Sequence, residues 1–287
     1  MRTIDLDSLE IFRTVVAEGG VIRAADKLNR VQSNVTTRIQ QLEERLGQKL
    51  FHRQGRSLAL APAGHKLLPY AERLLRLADE AESELRSALP LGTFRLGSLE
   101  STAGSRLAPV LSRFHRLYPG VVVELATGTT GALLKRVRAF ELEAAFVSEP
   151  FAAPELGSMP VFEEELVLIT ARSVAAVSRP ADLADATLIA FAPGCSYRRL
   201  LEQWLGKGGV SASRSLEFSS YQAMIACVAA GTGFAIVPVS VLKALRATAD
   251  VRQHPLPQRI RGNRTHLVWQ GTPSVALARL IEMLQKP

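Results

Sequence analysis

With 287 residues, 47% of them hydrophobic and 22% charged, the chain is sized for one small and one larger globular domain, and disorder is excluded as its general state. A formal net charge of +8 suits a polyanionic partner without proving one. Two cysteines, Cys195 and Cys227, set up no disulfide framework. No apolar run approaches the ~20 residues of a membrane span, and Met1-Arg2-Thr3-Ile4-Asp5-Leu6-Asp7 is unlike a secretion signal. A cytoplasmic location and no membrane partner are therefore expected.

Residues 7–18 place Leu9, Phe12, Val15 and Val16 at helical spacing, and Gly19-Gly20 ends that helix. A short second helix carries Ala24, Ala25 and Leu28. A third starts near Gln32 and aligns Val35, Ile39, Leu42 and Leu46 on one face until Gly47. Residues 50–61 read as a hairpin turning at Gln54-Gly55. Three short helices and a basic hairpin describe a winged helix-turn-helix. With Val35 at the centre of the buried side, Ser33, Thr37, Gln40 and Gln41 point outward and Gln32 and Thr36 flank them. Such short polar side chains and amides read base edges in a major groove. Arg53 and Arg56 on the hairpin are placed for phosphates or a minor groove. The candidate DNA-binding set is Gln32, Ser33, Asn34, Thr36, Thr37, Arg38, Arg53 and Arg56. On periodicity alone, a helical interaction domain with a polar outer face is an equal alternative.

Pro62 opens a long helix that runs to about Ala88. Leu67, Leu74 and Ala81 are seven apart, as are Ala71, Ala78 and Leu85, offset by four. This is a heptad seam. Either it joins two chains or the helix lies on its own domain. Its place between two domains and its independent apolar stripe favour the first.

After Leu91-Gly92, strands are expected at 94–99, 121–126, 144–148, 165–170, 187–191, 216–218, 234–237 and 265–270. Helices are expected at 103–117, 130–140, 197–206, 221–230, 238–246 and 274–286. The alternation predicts parallel sheets with helices on both faces, in two lobes with a cleft between them. Arg252, Arg259, Arg261 and Arg264 read as a solvated loop. Strand ends followed by helix starts offer free N–H groups to a ligand. They supply Ser98, Glu100, Ser101 and Thr102, then Gly128 and Thr129, then Cys195, Ser196 and Tyr197. Ser148 at a strand end and the Gly231 backbone complete the candidate effector site. Helix capping explains the Ser and Thr residues equally well. Glu100, if it faces the cleft, disfavours an anion. Cys195 ahead of Arg198 and Arg199 invites a reactive thiol, but without a nearby second cysteine a pocket-lining thiol is the better reading. The five histidines lack metal-ligand spacing and no catalytic constellation stands out, so neither metal, cofactor nor enzymatic activity is expected.

Ala24-Ala25, Leu28, Gln32-Ser33, Val35-Thr36, Ile39, Leu42-Glu43, Leu46-Gly47, Leu50-Phe51, Arg53, Arg56, Leu58 and Pro62-Ala63-Gly64 together resemble the LysR-type transcriptional regulator family. The resemblance covers the whole chain. It implies an α+β multidomain fold: a winged helix-turn-helix over 1–64 with its motif at about 21–40, and a linker and dimerisation helix over 65–90. An effector-binding domain would follow over 91–287. Its two α/β lobes would resemble type 2 periplasmic solute-binding proteins, lobe I at about 91–160 and 266–287, lobe II at about 161–265. It further implies a homodimer or homotetramer, double-stranded promoter DNA as partner, and an organic acid, amino acid or amine as effector. One departure stands at Arg30-Val31, where the family has an apolar residue and Ser. Arg30 there is a further phosphate contact, or Val31 packs the turn. A solute-binding protein and an enzyme with an added DNA-binding domain are the rival readings.

Overall fold

Helix α1 (Leu6–Glu18) starts where the Asp5 carboxylate accepts the Ser8 N–H at 2.8 Å, and it stops at Gly19 in the left-handed region. The computed structural model describes residues 4–54, 57–86, 90–212 and 214–285. It divides into two units, Met1–Ala88 and Leu89–Pro287. In the smaller unit α1 is followed by α2 (Val21–Lys27) and by α3 (Gln32–Leu46), which Gly47 ends in the same way. The antiparallel hairpin β1 (Phe51–Gln54) and β2 (Ser57–Leu60) leads into α4 (Pro62–Arg86). Leu9, Phe12, Val15, Ala24, Val35, Leu42 and Leu50 share one core, which Ala71 and Leu75 of α4 complete. Buried Glu43 fixes the turn into the hairpin. Its carboxylate accepts the Leu50 N–H at 2.9 Å and the Phe51 N–H at 3.2 Å and pairs with Lys49 at 2.7 Å. Gly64 lets α4 approach this turn, since a Cβ there would stand 2.3 Å from the Leu50 carbonyl oxygen.

The larger unit opens with β3 (Gly92–Ser98), α5 (Glu100–Ser105), α6 (Leu107–Leu117), β4 (Val121–Thr127), α7 (Thr130–Arg138) and β5 (Ala144–Ser148). The helix expected at 103–117 is thus two helices that meet at Arg106. Strands β4, β3 and β5 are parallel neighbours, as expected. The long strand β6 (Gly157–Ala171) is not. It is followed by β7 (Leu188–Phe191), α8 (Ser196–Lys207), β8 (Ser215–Phe218), α9 (Tyr221–Ala229), β9 (Ala235–Pro238) and α10 (Val239–Ala244). Then come β10 (Val251–Pro255), α11 (Gln258–Arg261), β11 (Gly262–Trp269) and α12 (Val275–Gln285). Strand β11 runs antiparallel to β5 and to β6, and β9 and β10 run antiparallel to the far half of β6. The seven-stranded sheet is therefore mixed, which corrects the all-parallel expectation, while β7 and β8 pair in parallel as expected.

Two long strands produce that difference. Strand β6 pairs with β11 through Gly157–Glu165 and with β9 and β10 through Leu166–Ala171, so it crosses from one lobe to the other. Strand β11 has a register irregularity between Thr265 and His266. The expected lobe limits at 160/161 and 265/266 thus fall inside continuous strands. Pro160 and Glu163-Glu164-Glu165 hid the first half of β6 from alternation. The basic run 252–264 is likewise no loop. It forms β10, α11 and the start of β11, with Arg261 paired to Glu165 at 2.5 Å. One lobe is built around Phe94, Leu96, Phe114, Phe146 and Leu267. The other is built around Leu168, Leu201, Phe234 and Val237. No described helix is long and apolar enough to cross a membrane.

Candidate functional site

On α3 the apolar face is fully engaged, and the opposite face is not. Val35, Ile39 and Leu42 are buried, while Gln32, Ser33, Asn34, Thr37, Gln40 and Gln41 are exposed. Thr36 is half-buried and donates its hydroxyl to the Gln32 carbonyl at 3.0 Å. Arg30 does not stand free for phosphate: its guanidinium lies 2.5 Å from Asp7 on α1. Nor does Val31 pack the turn, being 69% exposed. Arg38 lies 3.6 Å from the same Asp7, and Arg45 pairs with Asp5 at 2.8 Å. These pairs tie the start of α1 to the turn before α3 and to α3 itself, and leave the polar N-terminal half of α3 outward. Arg56 and the side chains of Arg53 and Leu85 lie outside the described residues.

Helix α4 divides the proposed seam. Ala71 is fully buried in its own unit and Leu67 packs against the same core. Ala71 therefore faces its own unit, which corrects its assignment, while Leu67 stays half-buried. Leu74 and Ala81 are exposed and Ala78 is half-buried. Tyr70 and Leu77, 63% and 59% exposed, join them. The outward stripe is thus Tyr70, Leu74, Leu77 and Ala81, at steps of four, three and four.

In the larger unit, the strand ends do converge. Leu99, Glu100, Ser101, Gly128, Thr129, Ser148, Phe191, Cys195, Ser196, Tyr197 and Tyr221 line a cleft of about 280 Å³, its open mouth included. Most follow the carboxyl ends of parallel strands, where ligands of such folds sit. Ser98, Thr102 and Gly231 are not among them. Ser98 is buried and donates to the Leu99 carbonyl at 2.9 Å. Thr102 points into the protein on the first turns of α5. Gly231 follows the far end of α9 with its N–H on Val228. Sequence reasoning missed Leu99, Phe191 and Tyr221. The rule used for the others would have found two of them, since Phe191 ends β7 and Tyr221 begins the helix after β8.

Contacts across the cleft join the lobes. The Ser196 hydroxyl donates to the Ser148 carbonyl at 2.8 Å, and the Gly131 N–H donates to the Gly194 carbonyl at 3.1 Å. Arg199 donates to the Pro150 carbonyl. The Ser148 hydroxyl donates to the Asn263 side-chain oxygen at 2.7 Å. The Tyr221 N–H reaches Glu100 at 3.4 Å. Burial pushes the Glu100 carboxyl above the usual carboxylate range. It also pushes the Cys195 thiol up, against the lowering that a helix start and two arginines suggest. Arg198 is taken by Glu202 at 2.7 Å and Glu217 at 3.0 Å. A reactive thiolate is thereby disfavoured and a pocket-lining thiol remains. The Tyr197 hydroxyl is buried beside Ser148 and Ser101.

Comparison with known proteins places both halves. A family described as "Bacterial regulatory helix-turn-helix protein, lysR family" matches residues 6–65, and one described as "LysR substrate binding domain" matches 87–286. The chain is 37% identical over 257 residues to the HTH-type transcriptional regulator GltR of Bacillus subtilis, covering 89% of this chain and 87% of that one. It is 39% identical over 265 residues to YusT of the same organism, an uncharacterized HTH-type transcriptional regulator, covering 91% and 88%. A full-length OxyR from Pseudomonas aeruginosa superposes with a TM-score of 0.74 at 19% identity, covering 99% and 94%. Full-length CbnR complexed with its target DNA superposes with a TM-score of 0.69 at 23% identity, covering 99% of each chain. At those identities the two structures speak for the fold alone.

Proposed function

The chain belongs to the LysR-type family of DNA-binding transcriptional regulators, and from that premise we propose that the outer face of α3 reads a promoter while the cleft binds a small effector. The observation that carries the first half is the exposed row Gln32, Ser33, Asn34 and Thr37, set on a helix whose other face is locked in a core. Recognition helices make base contacts through such N-terminal residues. Thr36 and Arg38 flank the row, and the wing residues Arg53 and Arg56 add phosphate or minor-groove contacts. The chain acts as a homodimer or homotetramer, with two α4 helices pairing through Tyr70, Leu74, Leu77 and Ala81. Two half-sites multiply a discrimination that one small helix cannot supply.

The second half rests on the cleft. Its walls come from both lobes, and β6 and β11 are the strands that pass between them. A ligand that favours one lobe angle shifts that equilibrium, and the shift alters the spacing of the paired DNA-binding units and the bend of the DNA. The functional division is residues 1–64 for DNA, 65–90 for pairing and 91–287 for the effector. Mobility shifts on DNA footprinted upstream of the chain's own gene test this reading. Thr37→Ala and Arg53→Ala are each expected to weaken the complex, and unchanged binding by both removes the DNA half. A metabolite panel read by thermal shift tests the effector half.

A further inference from the structure

The cleft holds a carboxylate without a matching cation. Glu100 reaches from α5 of one lobe to the first turn of α9 in the other, where its partner is the Tyr221 N–H at 3.4 Å, near the outer limit of a hydrogen bond. Half-buried and so weakly partnered, it bears a desolvation cost that a positive charge would offset. Buried Glu164, by contrast, has Arg106 at 2.8 Å and the Ser240 hydroxyl at 2.6 Å. No lysine, arginine or histidine is among the described residues that line the cleft. The nearby arginines are engaged, Arg198 on Glu202 and Glu217 and Arg199 on the Pro150 carbonyl. Beside Glu100 the wall is aromatic. The Phe191 and Tyr221 rings lie 4.7 Å apart, centre to centre, and the buried Tyr197 side chain lines the same cleft. A carboxylate next to aromatic rings is a cation site by charge and by quadrupole. An anion in the same place meets the Glu100 charge with no compensating cation.

We propose that the effector carries an ammonium group, held between the Glu100 carboxylate and the Phe191 and Tyr221 rings. This rests on the reading of the cleft as the effector site. Two four-carbon probes of opposite charge, n-butylammonium and n-butyrate, are titrated into the full chain by ligand-observed NMR. Butylammonium is expected to bind at least roughly tenfold tighter than butyrate, Glu100→Gln to remove that preference, and Phe191→Leu to weaken butylammonium about threefold. Gly128→Phe, a bulky change at a cleft-lining glycine whose added Cβ meets only ordinary contacts, is expected to abolish binding. Butyrate bound as tightly as butylammonium, insensitive to Glu100→Gln but lost in Gly128→Phe, overturns the ammonium assignment and leaves the effector cleft standing. Binding that survives Gly128→Phe, or no binding of either probe to the unmodified chain, overturns both.

Discussion

On the outer face of α3 the polar side chains stand in solvent, whereas in the cleft between the lobes the polar side chains are largely committed to the protein itself. Ser33, Asn34 and Thr37 are exposed. Ser148 and Ser196, also short and polar, are buried and bonded across the lobes. The two surfaces meet different partners. A polymer with a repeating charged backbone comes to a ridge, and the ridge needs only to be presented. A small molecule must be surrounded, so its site is assembled from distant segments whose polar groups need partners in its absence. The group left short of partners, Glu100, is then the informative one.

The largest effect that tests this contrast lies on the ridge. Ser33→Glu sets a carboxylate toward the DNA from an exposed position. Operator binding should fall about 100-fold, roughly 3 kcal/mol, in a mobility shift at fixed salt, with the melting temperature almost unchanged. A comparable loss of folding stability would mean that the ridge is structural, and the contrast would fail.

Two carboxylates give the next comparison. Glu43 is satisfied by two backbone N–H groups and Lys49, and Glu100 by one long contact. Glu43→Ala leaves the Leu50 N–H buried without an acceptor and should cost about 2 kcal/mol in urea unfolding. An effect near zero would show that water replaces the carboxylate and that the turn into the wing is looser than its geometry.

The ridge was legible from residue order because helical period alone decides which side of α3 faces out. Val35, Ile39 and Leu42 name the buried side, and the polar side follows. The cleft was half legible. Strand-end logic pointed to Ser101, Thr129 and Ser196, but it does not say which neighbouring side chains turn inward, so buried Ser98 and Thr102 came with them although neither caps α5. Pairings such as Ser196 with Ser148 span 48 residues and leave no local periodicity. The stripe on α4 was misplaced for a related reason. A 25-residue amphipathic helix can turn one apolar stripe to its own domain and another to a partner, and spacing does not say which is which. The first half of β6 was hidden by a proline and three glutamates that its pairing with β11 tolerates.

That misplacement gives a smaller test. Leu77→Ala removes apolar surface from the outward stripe and should weaken dimerisation by about 1.5 kcal/mol, roughly tenfold, in sedimentation equilibrium, while unfolding of the isolated unit stays unchanged. If Leu77→Ala leaves association intact, the chains pair elsewhere.

The smallest effect is the one that separates Glu100 from Glu43 most sharply. Burial holds the folded-state pKa of Glu100 above its unfolded value. A group raised in this way contributes stability below the unfolded pKa and loses it as pH rises through the folded one. At neutral pH the ionised carboxylate is therefore a cost to the purified chain, and Glu100→Gln should raise the melting temperature slightly. Toward pH 4 the carboxyl protonates in both states and the advantage of glutamine should vanish. Added butylammonium reverses the order at neutral pH, because it supplies the charge that glutamine cannot use. A melting temperature for Glu100→Gln below that of the unmodified chain at pH 7 would mean that Glu100 already has a strong partner within the protein. The cleft would then resemble the satisfied turn at Glu43 rather than a site waiting for a cation.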